Sequence, residues 1–183
     1  YRSYWGEKGG ITVSGGEALL QIDFLLELFE KAHARSINTC LDTSAQPFTR
    51  KGTWFAKFER LMKVTDTVLL DIKHIREDEH RKLTKFSNSN ILDCARYLSD
   101  IQKPVWIRHV LIPKLTDNDA YLHELAAFLK TLHNIERIDI LPYHTLGTYK
   151  YEELHIDYPL KGIEPPTQEC IDNANRIMES VLE

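Results

Sequence analysis

The chain has 183 residues, enough for one domain with a substantial hydrophobic core. Its 23 Lys and Arg stand against 27 Asp and Glu, and 43% of its residues are hydrophobic, as in an ordinary globular protein without the basic excess of a nucleic-acid-binding protein. No apolar run is long enough to span a bilayer, and no signal-peptide pattern opens the chain, so we expect a cytoplasmic protein.

Five short apolar runs predict buried β-strands separated by helices. The first helical pattern covers residues 20–34, where Leu20, Phe24, Leu28 and Ala32 recur at intervals of four and predict a core-facing stripe. A second stripe runs from Trp54 to Met62. The predicted strands are Ile11–Val13, Ile37–Leu41, Thr67–Ile72, Val105–Ile112 and Arg137–Leu141.

The second half of the chain continues the alternation. Two helical pieces are predicted between Glu77 and Asp100, with a break at Asn88–Asn90. A capped helix follows Thr116–Asp119, with its stripe at Leu122, Leu125, Leu129 and Leu132. Residues 142–166 are predicted to be a long loop, and a last helix begins near Thr167.

Alternating strands and helices predict the α/β class, because parallel strands need crossover connections. The pattern alone does not separate an open doubly wound sheet from a barrel. Without any linker composition, residues 1–183 are predicted to form a single domain.

Polar residues cluster at the carboxyl end of each predicted strand. In chain order, the polar segments at or near these strand ends are Ser14–Glu17, Asp42–Ser44, Asp71–His74, Arg108–His109 and Pro142–His144. In parallel α/β proteins these strand ends form one face, where ligands bind. We therefore expect a binding site there.

The segment Ser14-Gly15-Gly16-Glu17 opens a helix without the glycine patterns of nucleotide-binding loops. Two glycines permit close approach of a ligand, and the carboxylate of Glu17 favours a ligand with an ammonium group. In the alternative interpretation, Glu17 only complements the first turn of the helix and the glycines form a tight turn.

The remaining charged residues have two interpretations each. Asp42 and Asp71, with Thr43 nearby, either bind a cation or cap the following loops. Lys73 is either a Schiff-base amine or a cation for a ligand carboxylate. Arg108, inside an apolar strand, needs an anionic partner or a polar centre. The other histidines, including His80 and His109, are interpreted as surface or locally bonded residues.

In this order, the motifs "GGITVSGGEALLQ", "INTCLDTS", "VTDTVLLDIKHI", "VWIRHVLIP" and "ILPYHTLGTYKYE" resemble the radical S-adenosylmethionine (SAM) activases of glycyl radical enzymes. Within this family the chain is most similar to the activases of pyruvate formate-lyase. The resemblance covers nearly the whole chain. It implies a partial TIM-like (β/α) barrel of the radical SAM type, here expected to lack its first strand and its cluster loop.

The resemblance also implies residue roles. Gly15, Gly16 and Glu17 would hold the amino group of SAM. Further contacts to this cofactor would come from Asp71, Ile72, Lys73, His74, Ile75, Arg108 and His144. A monovalent cation would be bound by Asp42, Thr43, Asp71 and the backbone of Leu69.

The implied chemistry requires a 4Fe-4S cluster whose reduction cleaves SAM to a 5′-deoxyadenosyl radical, which removes a hydrogen atom from a backbone glycine. The implied partners are pyruvate formate-lyase as protein substrate and a small electron donor such as flavodoxin. The cluster motif CxxxCxxC is absent, since Cys40, Cys94 and Cys170 have the wrong spacing, so we expect a truncated, inactive chain. The sequence also departs from the family at Ala45-Gln46 and Lys114, where glycine is usual.

Three alternatives remain open. The nearest is an activase of another glycyl radical enzyme. A second is an aldolase-like barrel with Lys73 as Schiff-base amine. The third is a domain that binds SAM without catalysis.

Overall fold

A computed structural model describes residues 5–6 and 9–183. The predicted single domain of residues 1–183 therefore includes six residues that lie outside the described part. The helices and strands alternate as the sequence predicts. Their bounds are β1 Gly10–Val13, α1 Ile22–His33, β2 Asn38–Thr43, α2 Gly52–Lys63, β3 Thr67–Asp71, α3 Glu77–Thr84, α4 Ser89–Asp100, β4 Val105–Leu111, α5 Asp119–Leu129, β5 Ile135–Pro142, α6 Thr148–Glu153 and α7 Gln168–Glu179.

The five strands are parallel and lie in sequence order, β1 to β5. A doubly wound sheet reverses its strand order at a switch point, and this sheet has no such reversal. Right-handed crossovers between successive neighbouring strands place the helices on one face of the sheet, as in a barrel. The topology therefore selects the barrel-like alternative and confirms the α/β class.

The two faces of the sheet differ in burial. In β4, buried and half-buried residues alternate without exception, and β3 alternates in the same way. The buried positions, such as Leu70 and Ile107, belong to the core beneath the helices. The half-buried positions carry Asp42, Asp71 and Arg108. One face of the sheet thus holds the core, and the other carries charged groups.

The predicted stripe of the first helix is partly wrong. Leu20 is 74% exposed and Phe24 is 59% exposed, whereas Leu25 and Phe29 are buried. Residues spaced strictly by four drift about 40° per step around a helix with 3.6 residues per turn. Over three steps this drift carries Leu20 away from the face on which Ala32 is buried. In addition, residues Ala18–Gln21 form a 3₁₀ turn with three residues per turn, so their side chains point in other directions than an extension of α1 would give.

Other expectations have mixed outcomes. The stripe from Leu122 to Leu132 is buried, and the side chain of Asn118 accepts a hydrogen bond from the Ala120 amide to cap α5. The predicted loop over residues 142–166 contains the short helix α6. His80 and His109 are 2% and 3% exposed, so neither is a surface residue.

Both departures from the family's glycines fall on left-handed backbone. Ala45 has φ 54° and Lys114 has φ 67°. A residue with a Cβ is disfavoured there, by roughly 1 kcal/mol relative to glycine. The chain therefore keeps these left-handed turns with Ala45 and Lys114, and each lowers the free energy of unfolding relative to glycine.

We expect Lys114→Gly to raise the free energy of unfolding by up to about 1 kcal/mol, since it relieves the left-handed strain while the Lys114 amide keeps its bond to Asp117 Oδ1 (2.7 Å). The control substitution Ala56→Gly, at an exposed position in the interior of α2, should lower it by about 1 kcal/mol. Urea denaturation followed by circular dichroism measures both. Equal destabilisation by the two substitutions would contradict the assigned strain.

Candidate functional site

Arg108 lies at the centre of the charged face. Its Nε donates to Asp71 Oδ1 at 2.9 Å, and its Nη2 donates to Asp42 Oδ1. These residues lie on three neighbouring strands, since Arg108 is the register partner of Asp71 and β2 pairs with β3. The sequence expectation that Arg108 needs anionic partners is confirmed.

Lys73 extends the same network. Its Nζ lies 3.2 Å from Asp71 Oδ2, and its side chain is 40% exposed. An amine that forms a Schiff base is usually desolvated or placed beside another cation. Here the amine is partly solvated and paired with a carboxylate, an arrangement that suits charge recognition better.

Burial raises the pKa of Asp42 from its ordinary value, and the neighbouring carboxylates of Asp71 and Glu17 act in the same direction, while Arg108 opposes them. Burial by itself would lower the pKa of Arg108, but Asp71 and Asp42 raise it above its ordinary value. The guanidinium is therefore the positive charge that keeps these acids together on a half-buried face.

The carboxylate of Glu17 is held by four hydrogen bonds. Oε1 accepts from the Leu19 amide at 3.0 Å and from Thr43 Oγ1 at 2.5 Å, while Oε2 accepts from the Ser44 amide at 2.9 Å and from Ser44 Oγ at 2.5 Å. Four bonds match the lone-pair capacity of a carboxylate. Glu17 thus caps the 3₁₀ turn, as the alternative interpretation states, and also fastens the end of β1 to the end of β2.

The glycines before Glu17 are exposed, and a Cβ added at Gly15 or Gly16 would meet no atom within 4 Å. Neither residue has a left-handed φ. The protein's own packing and backbone therefore do not require glycine at these two positions. The space above them fits a ligand that approaches the backbone closely.

The predicted site residues divide into two groups. At the strand ends the structure forms two neighbouring hydrogen-bonded groups, one of Glu17 with Thr43 and one of Asp42, Asp71, Lys73 and Arg108. The side chains of Ile72 and His74 are buried instead, each 1% exposed. His74 packs against the ring of Tyr121, and the Ile72 carbonyl accepts from the ring of His109 at 2.8 Å. Leu69 and Ile75 are half-buried, and His144 is exposed just beyond β5.

Sequence reasoning missed Ser44, which supplies two of the donors to Glu17. The signal was present in the motif "CLDTS", where two hydroxyl residues follow the acid at a strand end. Such residues commonly bond to nearby groups in loops that follow strands.

The three cysteines lie on separate elements. Cys40 is in β2, Cys94 is buried in α4, and Cys170 is in the first turn of α7. Burial raises the pKa of Cys40 and raises that of Cys94 well above its ordinary value. Within residues 5–6 and 9–183, no group of three or more His, Cys, Asp or Glu residues could hold a metal ion. The described residues therefore do not fit a 4Fe-4S cluster.

Comparison with known proteins agrees with the fold. A family model described as the radical SAM superfamily matches residues 2–126, more than half of the chain. The chain has 23% identity and a TM-score of 0.75 to a crystal structure of a domain of pyruvate-formate lyase-activating enzyme from Bacteroides vulgatus, with 94% of each chain covered. The fold is that of a radical SAM protein.

The sequence relatives are more specific. The chain is 54% identical over 180 residues to the pyruvate formate-lyase-activating enzyme of Streptococcus mutans, covering 98% of this chain and 68% of that protein. It is 49% identical over 181 residues to the enzyme of the same name from Listeria monocytogenes, covering 98% of this chain and 73% of that protein. The chain belongs to the pyruvate formate-lyase-activating enzyme family.

We expect Arg108→Ala to lower the free energy of unfolding by about 2 kcal/mol at pH 7, because the half-buried Asp42 then has no counter-charge and Asp71 keeps only Lys73. The loss should be smaller at pH 4. Without Arg108 the folded-state pKa of Asp42 rises further above its unfolded value, so the folded variant binds the extra proton at pH 4 and loses it as the pH rises.

Urea denaturation of wild type and variant at the two pH values measures this difference. The control is Arg60→Ala, which removes an exposed pair with Glu30 between two helices and should cost less at both pH values. An Arg108→Ala loss that is the same at pH 4 and pH 7 would refute the assigned role of the guanidinium.

Anaerobic reconstitution of this 183-residue chain with iron and sulfide should give no stable 4Fe-4S cluster, because its cysteines lie on separate elements and Cys94 is 1% exposed. Visible absorption and electron paramagnetic resonance after reduction measure cluster content, with an apo-ferredoxin treated in parallel as positive control. One reducible cluster per chain would contradict the prediction.

Proposed function

We propose that this chain holds SAM at the carboxyl ends of its strands and serves in the activation of pyruvate formate-lyase, by removal of a hydrogen atom from a glycine of that enzyme. The observation that carries the proposal is the meeting of Glu17, Asp42 and Asp71 with Arg108 and Lys73 beside an open glycine turn. Family membership at 54% identity supports the same assignment.

The charges of the site suit the methionyl part of SAM, which carries an ammonium, a carboxylate and a sulfonium. Glu17 offers a negative charge beside the open backbone of Gly15 and Gly16, where an ammonium can bind. Its lone pairs already accept four bonds, so the ammonium either displaces the Ser44 hydroxyl or meets the carboxylate as a fixed charge. Lys73 and Arg108 supply positive charges for the ligand carboxylate.

The described residues supply no ligands for a 4Fe-4S cluster, so the cleavage of SAM to a radical would need a cluster that they do not hold. The chain's own residues bind and orient the methionyl group. Asp71 holds both Lys73 and Arg108, so it fixes the positions of the two cations that would face the ligand carboxylate.

We extend the proposal to the remaining expectations from the sequence. Ile72, His74 and Ile75 would act through their backbone or by supporting β3, and His144 would close the site at the end of β5. A monovalent cation between Asp42, Thr43, Asp71 and the Leu69 carbonyl would take the place that the guanidinium of Arg108 occupies between the two acids. Such an exchange would free Arg108 to turn toward a ligand.

The partner and the location also belong to the proposal. The names of the relatives favour pyruvate formate-lyase over another glycyl radical enzyme as the protein substrate. A flavodoxin as electron donor is implied by the resemblance, and we propose a cytoplasmic location from the expectation drawn from the sequence. In the described part of the chain, no helix is long and apolar enough to cross a membrane.

We expect Gly16→Val to weaken SAM binding at least tenfold while leaving the free energy of unfolding nearly unchanged. The added Cβ meets no atom within 4 Å in the free protein, and the valine side chain would occupy the space that the ligand needs. Isothermal titration with SAM measures affinity, and urea denaturation measures stability.

The control for Gly16→Val is Gly147→Val, since a Cβ at Gly147 also meets no atom within 4 Å and the residue lies outside the charged cluster. Glu17→Ala should likewise weaken binding. Equal affinity of wild type, Gly16→Val and Glu17→Ala for SAM would rule out this binding mode.

A further inference from the structure

An apolar pocket lies next to the candidate cofactor site. It has a volume of about 510 Å³, and Glu17, Ser44 and Lys73 form the wall that it shares with that site. The pocket extends from these residues to the helical side of the sheet, where its walls include His80 of α3 and Ile91 of α4. A ligand in this pocket would therefore touch the cofactor site from one side.

The rim of the pocket is formed by exposed apolar side chains. Leu20 is 74% exposed and Phe86 is 55% exposed, and both line the pocket. Large apolar side chains at the rim of a concave, mostly apolar site are typical of a surface that another protein covers. The cofactor alone would not need them.

The wall also contains one buried polar atom without a partner. His80 is 2% exposed, and its Nδ1 makes no hydrogen bond with the described residues. A buried ring nitrogen without a partner costs free energy that a new hydrogen bond would recover. Burial lowers the pKa of His80, with His74 and Lys73 acting in the same direction while Glu77 and a backbone bond to His74 oppose them. Nδ1 itself has almost no accessible surface, so an incoming group bonds to it only when the His80 ring turns toward the pocket.

We propose that this pocket receives a large side chain next to the target glycine of the protein substrate, a side chain with an apolar body and one hydrogen-bonding group at its tip. The inference rests on the proposed function and adds a specificity pocket to it. The apolar body packs between Phe86, Leu20 and Ile91, and the tip reaches His80. Because the pocket shares Glu17 and Lys73 with the cofactor site, this anchoring holds the neighbouring glycine close to the cofactor.

The adenine ring of SAM is the competing occupant, since it too is flat, apolar and able to form hydrogen bonds. The residues assigned to SAM run along the strand ends from Glu17 past Asp71 and Arg108 toward β5, on the open face of the sheet. The pocket lies in the other direction, against α3 and α4. This placement and the exposed rim favour the protein substrate.

The test measures binding of a fluorescent peptide that spans the radical-bearing glycine of pyruvate formate-lyase, by anisotropy, to the 183-residue chain in the presence of SAM. We expect Phe86→Ala to weaken peptide binding about tenfold, as loss of an interface anchor does, and to change SAM affinity less than twofold. The control Ile101→Ala removes another exposed apolar side chain, at the opposite end of α4, and should change neither affinity.

An alanine scan of the peptide then identifies the anchoring side chain. Replacing the anchor by alanine should weaken peptide binding about tenfold with the wild-type chain. With Phe86→Ala the same replacement should weaken binding much less, because the two changes remove the same contact. Replacing only the polar tip of the anchor by an apolar group of similar size should weaken peptide binding several-fold.

The outcomes separate the two proposals. If SAM binds and the peptide either fails to bind or binds equally well to Phe86→Ala, the pocket inference is overturned and the proposed function stands. If Phe86→Ala weakens SAM binding as much as peptide binding, the pocket belongs to the cofactor, and this result also overturns the inference. If neither SAM nor the peptide binds, both proposals fail.

Discussion

The ion pairs of Arg108 with Asp42 and Asp71 organise the open face of the sheet. Three strands converge on this cluster, and each of the three side chains is about one-fifth exposed. At this burial the two acids repel each other strongly, so the guanidinium between them is what makes their placement possible. Buried ion pairs add little net stability compared with apolar packing, and a cluster of this kind therefore fits a binding role better than a purely structural one.

Glu17 connects this cluster to the glycine turn. Its carboxylate caps the turn that leads into α1 and accepts bonds from Thr43 and Ser44 at the end of β2. The structural and functional interpretations of Glu17 are thus compatible. A carboxylate that is held by four donors keeps its position without a ligand, and a preorganised charge binds an ammonium with little loss of conformational entropy.

The sequence predicted the class, the order of the elements and the edge of the sheet that carries the site, because apolar runs and strand-end polar residues are local signals. It could not predict that Arg108 would bridge Asp42 and Asp71, since this depends on the register of three strands. Nor could it predict that His74 turns into the core while Lys73 stays on the open face. The left-handed backbone at Ala45 and Lys114 was detectable only through the glycines that the family has there.

The error at Leu20 and Phe24 has a physical cause that also bears on function. A core-facing stripe is a sound expectation for apolar residues four apart, provided that one regular helix contains them all. Within α1 the strict spacing by four moves Phe24 off the buried face, and the 3₁₀ turn that Glu17 caps ahead of α1 leaves Leu20 at the surface. Leu20 then stands at the mouth of the pocket beside the cofactor site. Glu17 therefore orients the glycine turn and also sets the exposure of Leu20, so under the two proposals the binding of cofactor and of protein substrate depends on one short segment of chain.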